Sequence, residues 1–83
     1  MRAKFVVTSV SVFKDTEGKQ NGEAVGFNAV ARSTPYPADG SDEDNTFAKW
    51  SPSATCSIHI ANPALFGKHA VGQKYYVDFT PAP

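Results

Sequence analysis

Residues 3–14 read AKFVVTSVSVFK, a stretch of twelve residues without glycine or proline. β-Branched side chains dominate it, and such residues suit a pleated, half-buried strand better than a helix. Apolar side chains occupy both parities, with Phe5 and Val7 on one and Val10 and Val12 on the other. A long strand that is apolar on both parities is either covered on both faces or bent by a bulge. The stretch therefore predicts an all-β fold that begins with a long strand.

The rest of the chain continues the β pattern. Further strands are predicted over residues 23–32, 45–51, 53–60 and 75–80. Gly26, inside the second strand, predicts a bulge or a close approach of two backbones. Residues 62–67 (NPALFG) predict one helical turn, because Asn62 can cap its start and Gly67 can adopt the left-handed conformation at its end. Together these elements predict a single domain over residues 1–83. Its fold would be a small five-stranded antiparallel barrel or sandwich, with the oligonucleotide-binding type of barrel as one form, and the helical turn would precede the last strand.

The composition narrows the partner classes. The 83 residues include eight basic and eight acidic side chains, so the formal net charge is zero. General nucleic-acid binders usually carry a basic excess, because phosphate neutralisation supplies most of their affinity.

Cys56 is the only cysteine, so no intramolecular disulfide can form. The chain shows no signal-peptide pattern and no apolar run of membrane-spanning length. We therefore expect a protein of the cytoplasm that does not associate with membranes.

Catalytic and metal-binding patterns are not found. Cys56 and His59 lie three apart in a predicted strand and would point to opposite faces, so they could not share a metal ion, and both histidines are expected at the surface. The acidic stretch at residues 39–44 lacks the residue order of a calcium loop. The chain contains no nucleophile elbow, no phosphate-binding glycine loop and no sign of opposed carboxylates. We expect no catalytic residues, no metal and no cofactor, and hence a protein that is not an enzyme.

Two groups of side chains are candidates for binding a partner. Residues 33–44 (STPYPADGSDED) look the least ordered and hold half of the acidic residues, which could meet a basic partner. Aromatic side chains outside the most apolar parities, with a lysine nearby, could form a contact or stacking surface. The remaining aromatic rings are expected in the core, because a small β domain needs them there. The candidate partner-binding residues are Tyr36, Asp39, Asp42, Glu43, Asp44, Lys49, Trp50 and Tyr76.

Four blocks of the chain resemble a family of short proteins encoded by tailed bacteriophages. The blocks are residues 1–7 (MRAKFVV), 44–53 (DNTFAKWSPS), 60–64 (IANPA) and 72–80 (GQKYYVDFT). They cover most of the chain in order, and the resemblance is lost only in the loops around residues 15–22 and 33–42. The resemblance implies a phage origin and carries no catalytic residues with it, because the family has no assigned activity.

The leading functional hypothesis is a non-enzymatic phage protein that binds a partner, expected to be a protein, in the cytoplasm of the infected host cell. The partner could be a host or defence protein or a replication component, and a small nucleotide signal is a further option. The first alternative is a virion structural protein that decorates or joins the capsid head. The second is a weak binder of single-stranded nucleic acid. The oligomeric state is left open, although an exposed last strand could pair with a second copy.

Overall fold

The computed structural model describes residues 1–83 and contains one antiparallel sheet. Its strands are β1 (Arg2–Lys14), β2 (Gln20–Ala29), β3 (Thr55–Ile60) and β4 (Lys74–Asp78), in the spatial order β3-β2-β1-β4. The all-β prediction is confirmed. The sheet has four strands and is open, however, so the five-stranded barrel or sandwich that the sequence predicts is not confirmed. No helix is long enough to cross a membrane, the only helical segment being one 3-10 turn.

The missing fifth strand is the one predicted over residues 45–51. These residues form turns and bends, with one isolated bridge in which Lys49 pairs with Ser41. The segment bonds to β1 at two points: the side-chain Oδ1 of Asn45 accepts a 2.8 Å hydrogen bond from the backbone N–H of Lys4, and the N–H of Thr46 donates to the carbonyl oxygen of Arg2 at 3.0 Å. The chain then turns away, so no strand forms here. With no strand to connect the two outer edges, the sheet cannot close.

β1 bends at Thr8. Val7 lies opposite Phe27 and Ser9 lies opposite Gly26, so Thr8 is an extra residue between two paired positions. The bulge that Gly26 predicts is confirmed opposite it, and a β-carbon on Gly26 would come within 2.5 Å of the side-chain Oγ of Ser9. The bulge shifts the parity of β1, because every side chain beyond it changes face. This explains why apolar residues of both parities reach the same core.

The core lies on one face of the sheet. Its buried side chains are Ala3, Phe5, Val7, Val25, Phe27 and Ile60. The β3–β4 connection, residues 61–73, supplies covering side chains, since Phe66 packs against this cluster. His69 also belongs to the cover. Its ring lies 6.3 Å from that of Phe27 and 5.5 Å from that of Tyr75, so it is half-buried rather than the surface histidine expected.

The helical turn of the β3–β4 connection, Pro63–Leu65, is capped at its start, and the connection is attached to the sheet just after the turn. Asn62 caps the turn, because its Oδ1 accepts a 3.1 Å hydrogen bond from the N–H of Ala64. Gly67 has a φ of +73°, and its N–H donates to Oε2 of Glu23 at 3.1 Å. The predicted turn is therefore confirmed. Glu23 is only 1% exposed, so this buried carboxylate holds the connection against the sheet.

Candidate partner-binding surface

Trp50 has the most unusual backbone conformation in the chain. Its φ is +63°, and it is the one residue other than glycine with a positive φ. The left-handed region is unfavourable for a bulky side chain, and such a residue costs about 1–3 kcal/mol. The N–H of Trp50 donates a 2.7 Å hydrogen bond to the carbonyl oxygen of Gly40, which helps to hold the residue in place. The side chain is nevertheless 53% exposed.

The indole of Trp50 is supported from the neighbouring turn. A β-carbon on Gly40 would lie 2.5 Å from Cε2 of the indole, so the ring rests against the Gly40 backbone. Gly40 itself has a φ of +72°. The ring of Tyr36 lies 6.0 Å from the indole at an interplanar angle of 55°. Trp50 is thus held in one position with about half of its surface open to solvent. We term Tyr36, Asp39, Gly40, Lys49 and Trp50 the Trp50 surface.

Charged side chains of both signs border the indole. The bridge between Ser41 and Lys49 and the hydrogen bond between Trp50 and Gly40 place residues 39–41 beside residues 49–50. The carboxylate of Asp39 accepts a 3.0 Å hydrogen bond from the N–H of Ser41. This hydrogen bond, with a smaller attraction from Lys49, lowers the pKa of Asp39 below its ordinary value. Asp39 therefore presents a fixed negative charge at the rim of the aromatic group.

Asp42 is placed differently from the surface charge that the sequence suggests. It is 3% exposed and accepts hydrogen bonds from the N–H groups of Asp44 and Asn45, the side-chain amide of Asn45 and the hydroxyl of Tyr36. Burial raises the pKa of Asp42, but these hydrogen bonds outweigh it, so its pKa lies below the ordinary value. Asp42 organises the loop that was expected to be the least ordered, and it is not available to a partner.

Asn45 is a central residue of the loop, although it is not among the candidates predicted from the sequence. It is fully buried, and its Nδ2 donates at 2.7 Å to the carbonyl oxygen of Val30. Its Nδ2 also donates to Asp42, and its Oδ1 accepts from Lys4, so both the nitrogen and the oxygen of the side-chain amide have hydrogen-bond partners. The turn at Asp42, whose carboxylate accepts from the N–H two residues on, is the part of this arrangement that the sequence could signal. Asn45 attaches the loop to β1 and to the end of β2.

Asp44 and Tyr76 form a second group with residues of β1. The Tyr76 hydroxyl donates to Asp44 at 3.0 Å, and the Lys4 ammonium lies 3.3 Å from the same carboxylate. The hydrogen bond to Asp44, followed by burial, raises the pKa of Tyr76. The Arg2 guanidinium lies 4.8 Å from the centre of the Tyr76 ring and contacts both carboxylate oxygens of Asp78. We term Arg2, Lys4, Asp44, Tyr76 and Asp78 the Asp44 cluster.

The Asp44 cluster is built by strand pairing. Lys4 lies opposite Tyr76 and Arg2 lies opposite Asp78 on adjacent strands, so their side chains share the sheet face away from the core. The hydrogen bond from Arg2 lowers the pKa of Asp78. Arg2, Lys4 and Asp78 were not among the predicted residues, because their partners are distant in sequence. The cluster satisfies its charges internally, which suits a structural role.

Glu43 lies on an open cleft of about 610 Å³ beside the Trp50 surface. The cleft is lined by Arg32, Ser41, Asp42, Glu43, Thr46, Phe47, Ala48 and Lys49. Arg32 donates to the carbonyl oxygen of Ser41 at 3.1 Å and lies 3.5 Å from the Glu43 carboxylate. The Glu43 side chain remains largely exposed. Ser41 and Lys49 join the cleft to the Trp50 surface, so both form one continuous side of the molecule.

The eight predicted residues therefore divide into three groups. Tyr36, Asp39, Glu43, Lys49 and Trp50 lie on or beside the Trp50 surface, whereas Asp44 and Tyr76 belong to the Asp44 cluster and Asp42 is interior. No group of three or more potential metal ligands occurs. Cys56 packs against the core, and His59 stacks on Phe13 on the other face at 5.5 Å, as the strand parity predicts.

No protein-family model, no curated protein and no solved structure matches the chain.

Proposed function

We propose that this chain is a non-enzymatic binding protein of a tailed bacteriophage, that it acts inside the infected cell, and that the Trp50 surface contacts a protein partner. The observation that supports the proposal is the half-exposed indole held at a φ of +63°. Strained residues of this kind occur at functional sites, where the surrounding structure imposes the geometry. The indole is not among the buried core residues, so core packing does not explain the strain.

The chemistry of the Trp50 surface suits a protein partner. Tryptophan and tyrosine are enriched among the residues that dominate interface energies, because they bury a large area and lose little side-chain entropy. The support from Gly40 and Tyr36 fixes the indole before binding, which lowers the cost of ordering it in a complex. Asp39 and Lys49 add charges of both signs, and the zero net charge of the chain favours a protein over a nucleic-acid backbone.

Fewer acidic residues are free to contact a partner than the composition of the loop suggests. Asp42 is buried and Asp44 is engaged by Lys4 and Tyr76, so Asp39 and Glu43 are the two acidic residues left to meet a basic patch. Complementary charges at the edge of an interface mainly raise the association rate. Reversal of both charges, Asp39→Lys with Glu43→Lys, should therefore slow association and reduce its dependence on salt. The partner would still dissociate at about the wild-type rate.

Affinity capture from infected-cell lysate tests the proposal. The bait is the full chain as wild type, as Trp50→Ala, or as Leu65→Ala, a matched control that removes a side chain with similar exposure from the 3-10 turn. A partner should be retained by the wild type and by Leu65→Ala. Loss of an interface tryptophan worth 2 kcal/mol should weaken capture about 30-fold in Trp50→Ala. Equal capture by Trp50→Ala and the wild type would contradict the proposal.

The location of the protein distinguishes the proposal from the virion alternative. Quantitative mass spectrometry of purified particles and of infected-cell lysate gives the copy number in each. The proposal expects the protein in the lysate and few or no copies in the particle. Many copies per particle would assign the chain to the virion, and the Trp50 surface would then be a contact within the capsid.

A further inference from the structure

β1 is a central strand along one half and an edge strand along the other. β4 pairs with residues Arg2 to Val6, and the backbone of Val7 bonds to Gly72 and Gln73. Beyond the bulge, residues 9–14 pair with β2 alone. The distal half of the longest strand therefore has no neighbour on the side where β4 lies beside the other half. Central strands usually have both edges paired, so this step in the sheet needs an explanation.

The open edge presents regular hydrogen-bonding groups. The N–H and C=O of Val7 point towards β4, as their bonds with Gln73 and Gly72 show. The extra residue at Thr8 shifts the alternation, so beyond it the backbone groups of Val10 and Val12 project in that direction. No strand lies beside them. These groups form the ladder positions to which another extended segment could bond.

The open edge lacks the usual protection against pairing. Exposed edges are commonly blocked by charged side chains, proline or a covering segment. Residues 9–13 read SVSVF and contain none of these blocking residues, and the one charged residue of the open edge, Lys14, lies at its end. Val12 is 52% exposed and Phe13 is 44% exposed. Ile58 shares the face of Val12 through the aligned pairs of β1, β2 and β3, and it is also exposed. The edge is thus flanked by uncovered apolar side chains.

The monomer exposes more surface than its mass predicts. Its accessible surface is 5674 Å², whereas a compact monomer of 8.9 kDa exposes about 4800 Å². The radius of gyration is 15.7 Å, against about 12 Å for a compact domain of this length. The single open sheet is therefore extended, and it leaves more surface uncovered than a compact domain of this mass.

We propose that two copies of this chain associate through the open edge of β1, with residues 10–14 of each copy paired antiparallel across a two-fold axis. The pairing would join the two sheets into one continuous sheet and would bring Val10 and Val12 of each copy together on the core face. This inference goes beyond the proposed function and does not depend on it.

A second copy fits this edge for three reasons. An antiparallel two-fold contact of residues 10–14 is centred on Val12, so Lys14, the one charged residue of the segment, faces Val10 of the other copy and not its own counterpart. The net charge of the chain is zero, so two copies do not repel at long range. β4 lies only beside the other half of β1 and leaves room for the contact. The sheet has two other edges. The edge at β3 presents the outward backbone groups of Thr55, Ser57 and His59, and the edge at β4 is short and carries the charged residues Lys74 and Asp78 at its ends.

Charge complementation at Val12 tests the proposal. The full chain is examined by sedimentation velocity over a range of concentrations, as wild type, Val12→Lys and Val12→Glu, with Val71→Lys as a control at an exposed position in the β3–β4 connection. The wild type and Val71→Lys should form dimers. Each Val12 variant should associate at least about tenfold more weakly, because like charges would face each other across the axis, and an equimolar mixture of the two should recover the dimer.

Amide hydrogen exchange of the unmodified chain gives an independent measurement that does not rely on a variant. The N–H groups of Val10 and Val12 should exchange slowly at concentrations where the dimer forms and faster on dilution. A wild type that remains monomeric at every concentration, with rapid exchange at these positions, would overturn the proposal. Dimers that persist unchanged in both Val12 variants would also overturn it. Trp50→Ala should still dimerise, so failure here is distinct from failure of partner capture.

Discussion

The indole of Trp50 rests on the backbone of Gly40, at a distance that leaves no room for a β-carbon between them. A methyl group on Gly40 would lie 2.5 Å from Cε2 of the ring, and a 2.7 Å backbone hydrogen bond joins the same two residues. Both residues have positive φ angles, near +72° and +63°. Two residues in the left-handed conformation thus contact each other across the loop, and this contact fixes the position of the exposed indole.

Gly40→Ala should displace the indole, because the new methyl group occupies its place and the positive φ disfavours alanine. Trp50 is the only tryptophan, so its fluorescence reports the change, and its emission should shift to longer wavelength as the ring becomes more exposed. Gly18→Ala is the matched control, since Gly18 has a φ of +80° with no atom near its β-carbon position. Both variants should lose about 1–2 kcal/mol from backbone strain. Identical emission from both variants would contradict the contact.

Asn45→Ala should destabilise the fold by about 3 kcal/mol, because it leaves the N–H of Lys4 and the C=O of Val30 without partners in a partly buried site. Urea unfolding followed by circular dichroism measures the free energy of unfolding. Asn28→Ala, at an exposed position in β2, should change it by less than about 0.5 kcal/mol. A loss of less than about 1 kcal/mol in Asn45→Ala would show that the hydrogen bonds of the Asn45 amide do not stabilise the loop.

Tyr76 should ionise at higher pH than a free tyrosine, because its hydroxyl donates to Asp44. The raised pKa means that the neutral phenol stabilises the folded state. This contribution is complete below pH 10.0, the ordinary value, and is lost as the pH rises through the folded-state pKa. Asp44→Asn should lower the pKa of Tyr76. An NMR titration of labelled tyrosine rings, with Tyr76→Phe to assign the signal, measures the shift. Superimposable titrations of Asp44→Asn and the wild type would contradict the assignment.

Asp42 should make the fold sensitive to acid. Burial raises its pKa, but the hydrogen bonds to its carboxylate lower it further, so the net value lies below the ordinary 3.8. The stability that this carboxylate adds is present above the ordinary value and is lost as the pH falls through the folded-state pKa. Urea unfolding across this acid range should therefore show a smaller loss of stability for Asp42→Asn than for the wild type. Equal losses in both proteins would assign the acid sensitivity to other carboxylates.

The sequence predicted those features that depend on local chemistry. The apolar pattern of both parities in β1 corresponds to the bulge at Thr8, and Gly26 marks the position opposite it. Asn62 caps the start of a helical turn and Gly67 follows its end with a positive φ, as predicted, because capping and the left-handed conformation of glycine are local effects. These features could be derived without knowledge of the tertiary structure.

Features that depend on distant partners could not be predicted in this way. Residues 45–51 have the composition of a strand, yet Asn45 bonds to Lys4 with its side chain and the segment turns instead. Asp42 lies in an acidic run that is typical of a solvated loop, and only its hydrogen bonds show that it is interior. Trp50 is predicted as a partner residue because it lies outside the most apolar parities and next to a lysine. Its strained backbone follows from the contact with Gly40, which a linear pattern does not reveal.

Oxidative footprinting of Trp50 tests the central claim most directly, because it asks whether a partner covers the indole. The labelled chain is oxidised in buffer and in infected-cell lysate, and modification of Trp50 is compared with that of Leu65 and Val71, which are exposed on the β3–β4 connection. Selective protection of Trp50 in the infected lysate, absent from uninfected lysate and from buffer, is the expected result. Equal oxidation of Trp50 under all three conditions would contradict a binding role for the Trp50 surface.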